Sequence, residues 1–562
     1  MNNNKEKSKI RYNITTTIIY IIGIILLVQL FNLQIVHGEE YRDTSNTRLT
    51  RESVLEADRG AVTDSSGTSL AVVKTQYSVQ LYKTKTDNKN LNETILNLVN
   101  LLSTNGDQYV DNFLMNVNPY SFKFSTEEAE RKWKKANNID EDATAEETFE
   151  FFKKKYGVTT DDPEEARKII TVRYEISYKG YSNTKSIELA SNISEESVHQ
   201  IYERNAEFPG VTIAESSVRD YPLGNTASHI IGRIGQIEQS ELEGNEDIYD
   251  QNDIIGKSGI EYVFEKYLKG TSGIKQIDMD VEGTITDEVI AEEAVSGSTV
   301  VLTIDSQLQA ITEQALKDNI DKIANGGFTR QSNADAGATV VLNVKTGEVL
   351  AMASYPDYNP SDFINGINSS TWNYYINENT KPLENKAISE NYSPGSIFKM
   401  ATAIAGLESG AIGTTEKIND TGVYPYAHNP VCWYYTSYHT GHGYLNVSQA
   451  IQHSCNYFFY EVGRRVEIDT LYKYAYYLGL GHKTGIELNG EVTGNLSNKA
   501  NAEAEGRTWY LGDTISSAIG QSFNTFTPLQ MAKYVAMIAN GGKKIDISIV
   551  KSIINSDGSE VE

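Results

Sequence analysis

The sequence predicts a chain of three parts: one transmembrane helix, an elongated α+β region, and a C-terminal α/β domain with its own core. Three observations predict it. Residues 14–36 carry no charge and follow the basic cluster Lys5, Lys7, Lys9 and Arg11. Residues 37–298 read as strands flanking a charged, helical middle. From Thr299 onward strand-like and helical stretches alternate. At roughly 150 residues per domain, 562 residues allow two or three domains.

The uncharged segment is long enough to cross ~30 Å of hydrocarbon as a helix. Positive charge before it and Glu39 and Glu40 after it place residues 1–13 in the cytoplasm and the remainder outside. A cleaved signal peptide would have a shorter apolar core and a small-x-small cleavage site, whereas His37-Gly38-Glu39 follows here. An uncleaved single-pass anchor in the plasma membrane is the reading.

In the region 37–298, Asp64-Ser65-Ser66-Gly67 is a turn signal leading into the β-formers of 69–82. Residues 88–207 read as a helical subdomain, with Glu/Lys spacing over 125–135 and 144–156 typical of solvated helix faces. In 299–562, residues 299–304 and 338–354 read as strands. The second turns at Lys345-Thr346-Gly347 and ends before Pro356 and Pro360. A helix is predicted from near Ser396 to Gly410.

Composition narrows the function. With 50 basic against 75 acidic residues the net charge is −25. Nucleic-acid binding requires positive charge to displace counterions, so that class is set aside. Two cysteines exclude a disulfide scaffold. The 42 Gly and 11 Pro are too few for a low-complexity chain.

The chemistry starts at Ser396-Ile397-Phe398-Lys399. A serine hydroxyl needs a base to become a nucleophile, and helix positions i and i+3 share a face, so Lys399 can reach Ser396. Pro394-Gly395 makes a tight entry, and the apolar neighbours Ile397, Phe398 and Met400 suit a partly buried lysine of lowered pKa. Ser-x-x-Lys also occurs at Ser182/Lys185, Ser272/Lys275 and Ser548/Lys551, so spacing alone decides little. Ser454-Cys455-Asn456 downstream adds a second hydroxyl to relay a proton and an amide to grip a carbonyl. That pattern too recurs, at Ser389/Asn391 and Ser522/Asn524. The ordered pair of motifs is the informative feature.

With these motifs the chain resembles the class B penicillin-binding proteins, monofunctional D,D-transpeptidases of bacterial cell-wall synthesis. The resemblance runs almost end to end. Leu33 to Val36 with Glu40-Tyr41, Arg59-Gly60, Asp64 to Ala71, Arg219 to Gly224, His229 to Gly232 and Gly256 to Glu261 are similar to the family's pedestal. Thr303 to Gln309, Asn385 to Lys399, Gly441 to Gly443, Ser454 to Asn456 and Ala518 to Gly542 are similar to its transpeptidase domain, of the serine β-lactamase-like fold. The elongation-type members are nearest.

The resemblance implies Ser396 as the nucleophile on D-Ala–D-Ala, Lys399 as its base and Ser454 as proton donor to the leaving amine. It implies that Asn456 binds the peptide backbone and helps hold Lys399. It further implies stem peptides as substrates, β-lactams as covalent inhibitors, a RodA/FtsW-like glycosyltransferase partner, a homodimer and no cofactor. The family's third motif lies beyond the helix that starts at Thr527-Pro528-Leu529-Gln530. The Lys-Thr-Gly triplets at 345–347 and 483–485 are read as decoys, so the domain is expected to be C-terminally incomplete at Glu562. That gap alone favours the alternative, a non-catalytic scaffold or β-lactam sensor of the same fold. A β-lactamase is usually far shorter, without anchor or pedestal.

Four of eight histidines, His428, His439, His442 and His453, and both cysteines, Cys432 and Cys455, fall within residues 428–455. Zinc favours such ligands, but the spacing fits no standard finger. A structural metal, a Cys432–Cys455 disulfide, and plain turn and core roles stay open, and no metal is entered among the site residues.

Overall fold

The computed structural model describes residues 50–561 apart from 85–86, 125, 182–185, 250–252, 280–284, 328–333, 365 and 378, and before them only 21, 23–26, 28–31, 35 and 37. The expected tail 1–13 and most of the expected anchor 14–36 lie outside these residues. Among the described residues no helix is long and apolar enough to cross a membrane.

The chain forms two compact units. The first comprises 75–217 and 272–294 together with residues up to 56, and the second comprises 57–74, 218–271 and 295–562. In the first unit, strands Thr50–Leu55, Gly273–Met279 and Ile285–Glu292 form an antiparallel sheet. Tyr77 to Leu81 pairs antiparallel with Ile187–Ile193. The charged middle is helical where the Glu/Lys spacing predicts it, as Glu127–Ala136 and Ala145–Tyr156, and a third helix, Pro163–Lys179, follows. Thr144 and Glu147 start the second of these with a reciprocal capping box, which satisfies two N–H groups that the helix leaves open. An aromatic core of Phe113, Trp133, Phe149, Phe152 and Tyr156 fills the space between these helices.

In the second unit the strand Thr299–Leu302 runs antiparallel to Val550–Ile554 and parallel to Val62–Thr63. Strands Gly337–Leu342 and Val349–Tyr355 form an antiparallel hairpin. Its turn needs Gly347, at φ 87°, where a Cβ would sit 2.0 Å from the Asp546 carbonyl oxygen.

The residues that carried the resemblance to the pedestal build a buried polar network in this unit. The fully buried Glu261 accepts from Arg59 Nε at 2.6 Å and Arg219 Nε at 2.7 Å. Arg59 also bonds Glu265 at 2.6 Å, and Arg219 donates to the Gly60 carbonyl at 2.7 Å. Burial alone would raise the Glu261 pKa, but the two guanidinium groups hold it below the ordinary carboxylate value. Asp64 accepts the Ser66 and Thr68 N–H groups at 2.9 and 2.8 Å, closing the predicted turn.

The second core of this unit positions the candidate site. Helix Lys399–Glu408 presents Ala401, Ala403, Ala405 and Gly406. These small residues admit helix Asn456–Tyr477 closely: a Cβ on Gly406 would lie 2.8 Å from a Val462 methyl. That second helix breaks at Glu467, where φ is 61°.

Candidate active site

Ser396 lies in a 3₁₀ turn, Gly395–Phe398, that feeds directly into helix Lys399–Glu408. Gly395, at φ 55°, permits the sharp entry, and its N–H donates to the Gly520 carbonyl at 3.1 Å. Beneath the turn, Phe398 is buried and stacks on Phe526 with centroids 6.2 Å apart. Tyr534 ties the turn to the helix: its hydroxyl donates to the Ile397 carbonyl at 3.1 Å and accepts the Ala401 N–H at 2.9 Å. Ser396 itself is exposed. Ile397 does not help bury the lysine as its apolar character suggested. It is 51% exposed, because the turn aims it outward and Phe398 inward.

Ser454 arrives by a different route. Helix Val447–Gln452 ends in a Schellman arrangement: Ser454 N–H donates to Ile451 O at 3.0 Å and Cys455 N–H to Ala450 O at 2.9 Å. The position after such a cap is left-handed and normally glycine, yet Ser454 sits there at φ 49°. Strained backbone of this kind gathers at functional sites. Cys455 then caps the next helix, its sulfur accepting the Phe458 N–H at 3.3 Å, and Asn456 opens that helix.

The four predicted residues come together. Lys399 is 2% exposed, and its ammonium has three acceptors: Ser454 O at 2.8 Å, Ser454 Oγ at 3.0 Å and Asn456 Oδ1 at 2.6 Å. An ammonium has three N–H groups to donate, so the set is complete. Ser454 Oγ is 2.9 Å from Ser396 Oγ. Among the described residues no hydrogen bond joins Lys399 to Ser396, although i,i+3 spacing suggested a direct reach. The lysine turns inward to its acceptors, and Ser454 bridges the two. Burial pushes the Lys399 pKa down to about 8, with Cys455 and Cys432 opposing it weakly.

Trp433, which sequence reasoning missed, donates its indole N–H to Ser454 O at 3.0 Å. Asp420 was missed as well. It gathers with Cys432, His442 and Cys455, all four donor atoms lying within 4.8 Å of one another. Asp420 Oδ2 is 2.6 Å from His442 Nδ1 and 3.2 Å from Cys455 Sγ. Both cysteines are buried and free, so the disulfide alternative does not hold. A hydrogen bond between the two thiols holds Cys432 down at about 6 and pushes Cys455 up. One carboxylate, one imidazole and two thiols aimed at one buried point suit tetrahedral zinc. The sequence offered no signal for Asp420, one of 75 acidic residues. His428, His439 and His453 are not part of the set.

The two Lys-Thr-Gly triplets serve local turns. Thr346 Oγ1 donates to Glu348 at 2.7 Å, and Thr484 donates both its N–H and hydroxyl to Glu491 at 2.6 Å.

The sequence pattern of the penicillin binding protein transpeptidase domain matches residues 337–562, and that of the penicillin-binding protein dimerisation domain matches 54–302. The chain belongs to the penicillin-binding proteins. This penicillin-binding protein is 32% identical over 381 residues to the peptidoglycan D,D-transpeptidase MrdA of Acinetobacter baumannii, a match covering 66% of this chain and 53% of that protein. It is 26% identical over 524 residues to MrdA of Escherichia coli, covering 92% of this chain and 70% of the relative. The chain thus spans about half the length of the first relative in that match. A chain of a solved peptidoglycan synthase complex shares the fold, with TM-score 0.67 at 24% identity over 98% of this chain and 81% of the other.

Proposed function

We propose that the chain is a serine-type peptidoglycan D,D-transpeptidase of the elongation type, cross-linking stem peptides through an acyl-enzyme that β-lactams trap. The observation that carries this reading is the unbroken path Ser396 Oγ–Ser454 Oγ–Lys399 Nζ, ending in an amine whose pKa burial holds near 8. Ser396 Oγ bonds to the carbonyl carbon of the penultimate D-Ala while its proton moves across Ser454 to neutral Lys399. Collapse breaks the C–N bond to the terminal D-Ala, whose nitrogen takes a proton from Ser454, replenished by Lys399. The amine of a second stem peptide then attacks the ester carbon, giving up one proton across Ser454 to neutral Lys399, and the bond to Ser396 Oγ breaks as Ser396 takes that proton back by the same path. Asn456 Oδ1 holds Lys399, leaving its amide NH₂ for a substrate carbonyl. The Ser396 N–H serves as one oxyanion donor, a contribution often worth ~2.7–4 kcal/mol. Zinc held by Asp420, Cys432, His442 and Cys455 would supply structural cross-linking, because Cys455 adjoins Ser454.

The uncharged stretch 14–36 behind four basic residues supports a single-pass anchor in the cell membrane, with the N-terminus cytoplasmic and the catalytic unit outside. A RodA/FtsW-like glycosyltransferase partner and a homodimer complete the reading. The test is the intact mass of the protein after incubation with a penicillin, followed by peptide mapping. A lasting adduct on Ser396 is expected. No adduct on folded protein would favour the scaffold reading, and an adduct quickly hydrolysed would indicate a β-lactamase.

A further inference from the structure

Transpeptidation needs a place for the second peptide as well as for the nucleophile, its protons and the carbonyl it attacks. Beside them lies a groove of about 810 Å³ lined by Ala427 and His428 on one wall and by residues of 505–523 on the other. Its size suits a peptide-sized ligand. One wall continues into the nucleophile turn. Gln521 lines the groove, its neighbour Gly520 accepts the Gly395 N–H, and the Gln521 amide nitrogen lies 3.9 Å from where a Gly395 Cβ would be.

Three non-glycine residues of the lining hold left-handed backbone: Ala427 at φ 54°, His428 at 63° and Ser522 at 67°. Such strain persists only where surrounding structure enforces it, and it concentrates at ligand sites. The far wall is pre-organised. Arg507 stacks 4.4 Å over Phe523 and pairs with Asp513 at 3.2 Å and Glu505 at 3.3 Å. Two carboxylates against one guanidinium leave the lining acidic, and Tyr510, 67% exposed, adds an open aromatic face. An acidic, aromatic groove favours an ammonium.

We infer that this groove seats the acceptor, a peptide bearing a primary amine, and delivers the amine to the Ser396 ester past Gln521. This rests on the transpeptidase reading. The test separates the two by measuring penicillin acylation and amine transfer in the same protein. A thioester acyl donor would be used, with a diamino-acid-containing peptide as acceptor. Two variants probe the groove. Glu505→Lys reverses an exposed charge. Gly512→Leu adds bulk where a Cβ meets only the Ala427 Cβ, at 3.9 Å. Both should take penicillin at the unmodified rate, which also shows that they fold. The amine concentration for half-maximal transfer should rise roughly threefold in Glu505→Lys and about tenfold in Gly512→Leu. Unchanged amine dependence in both variants overturns the assignment, as does an unmodified protein that is acylated but transfers to no amine. An unmodified, folded protein that takes no penicillin would overturn the transpeptidase reading, and the groove's role with it.

Discussion

The pH dependence of acylation follows from where Lys399 sits. An ordinary lysine, with pKa near 10.4, is neutral in roughly 0.04% of molecules at pH 7. With its pKa pushed down to about 8 by burial, Lys399 is neutral in roughly 9%, about a two-hundredfold gain in competent base. The charged group lost by deprotonation is the cation, so the neutral fraction rises with pH. It climbs from roughly 1% at pH 6 to half at pH 8 and then levels off. The groups facing the amine are the neutral Ser454 and Asn456, with the sulfurs of Cys432 and Cys455 nearby. The second-order rate constant for a fluorescent penicillin, followed by stopped flow, should therefore rise roughly fiftyfold between pH 6 and 8 and flatten above. Lys399→Arg keeps the charge but cannot deprotonate in this range, and should remove both the rate and its pH dependence. A wild-type profile flat from pH 6 to 9, or a Lys399→Arg variant that acylates normally, would refute Lys399 as the base.

Three further outcomes follow from the geometry. Ser454→Ala cuts the path between Ser396 and Lys399 and should slow acylation about a hundredfold or more, with an unfolding midpoint close to wild type; equal rates would remove Ser454 from the relay. The purified chain should carry about one zinc per molecule by elemental analysis, and chelation or Cys432→Ser should lower its melting temperature; a metal-free chain indifferent to chelator would leave the tetrad a hydrogen-bonded cluster. Glu261→Ala strands the buried Arg219 and removes one of the two carboxylates that Arg59 pairs with, and should cost about 3–5 kcal/mol in denaturant unfolding. The Glu261 pKa is held down in the fold, so its contribution is present above the ordinary carboxylate range and fades as pH falls through the lowered value.

Local patterns were readable because their physics is local. The turn at Asp64, the hairpin at Gly347 and the turn-to-helix entry at Pro394-Gly395 each depend on residues within about one helical turn. The chemical types at 396, 399, 454 and 456 were visible for the same reason, as two short motifs in order.

What joins those motifs was not visible. Lys399 and Ser454 are 55 residues apart, and their contact exists because a small-residue helix face lets helix Asn456–Tyr477 approach. The i,i+3 rule pointed the amine at Ser396, but a buried ammonium must fill three donor positions. Among the described residues Ser454 and Asn456 fill them, so the amine turns to them. Asp420, 35 residues from Cys455, enters its cluster in the same way. The sequence specified the candidate groups of the site and the local turns that present them. The fold specified which groups meet, because contacts between distant segments follow from packing and from satisfying buried charge.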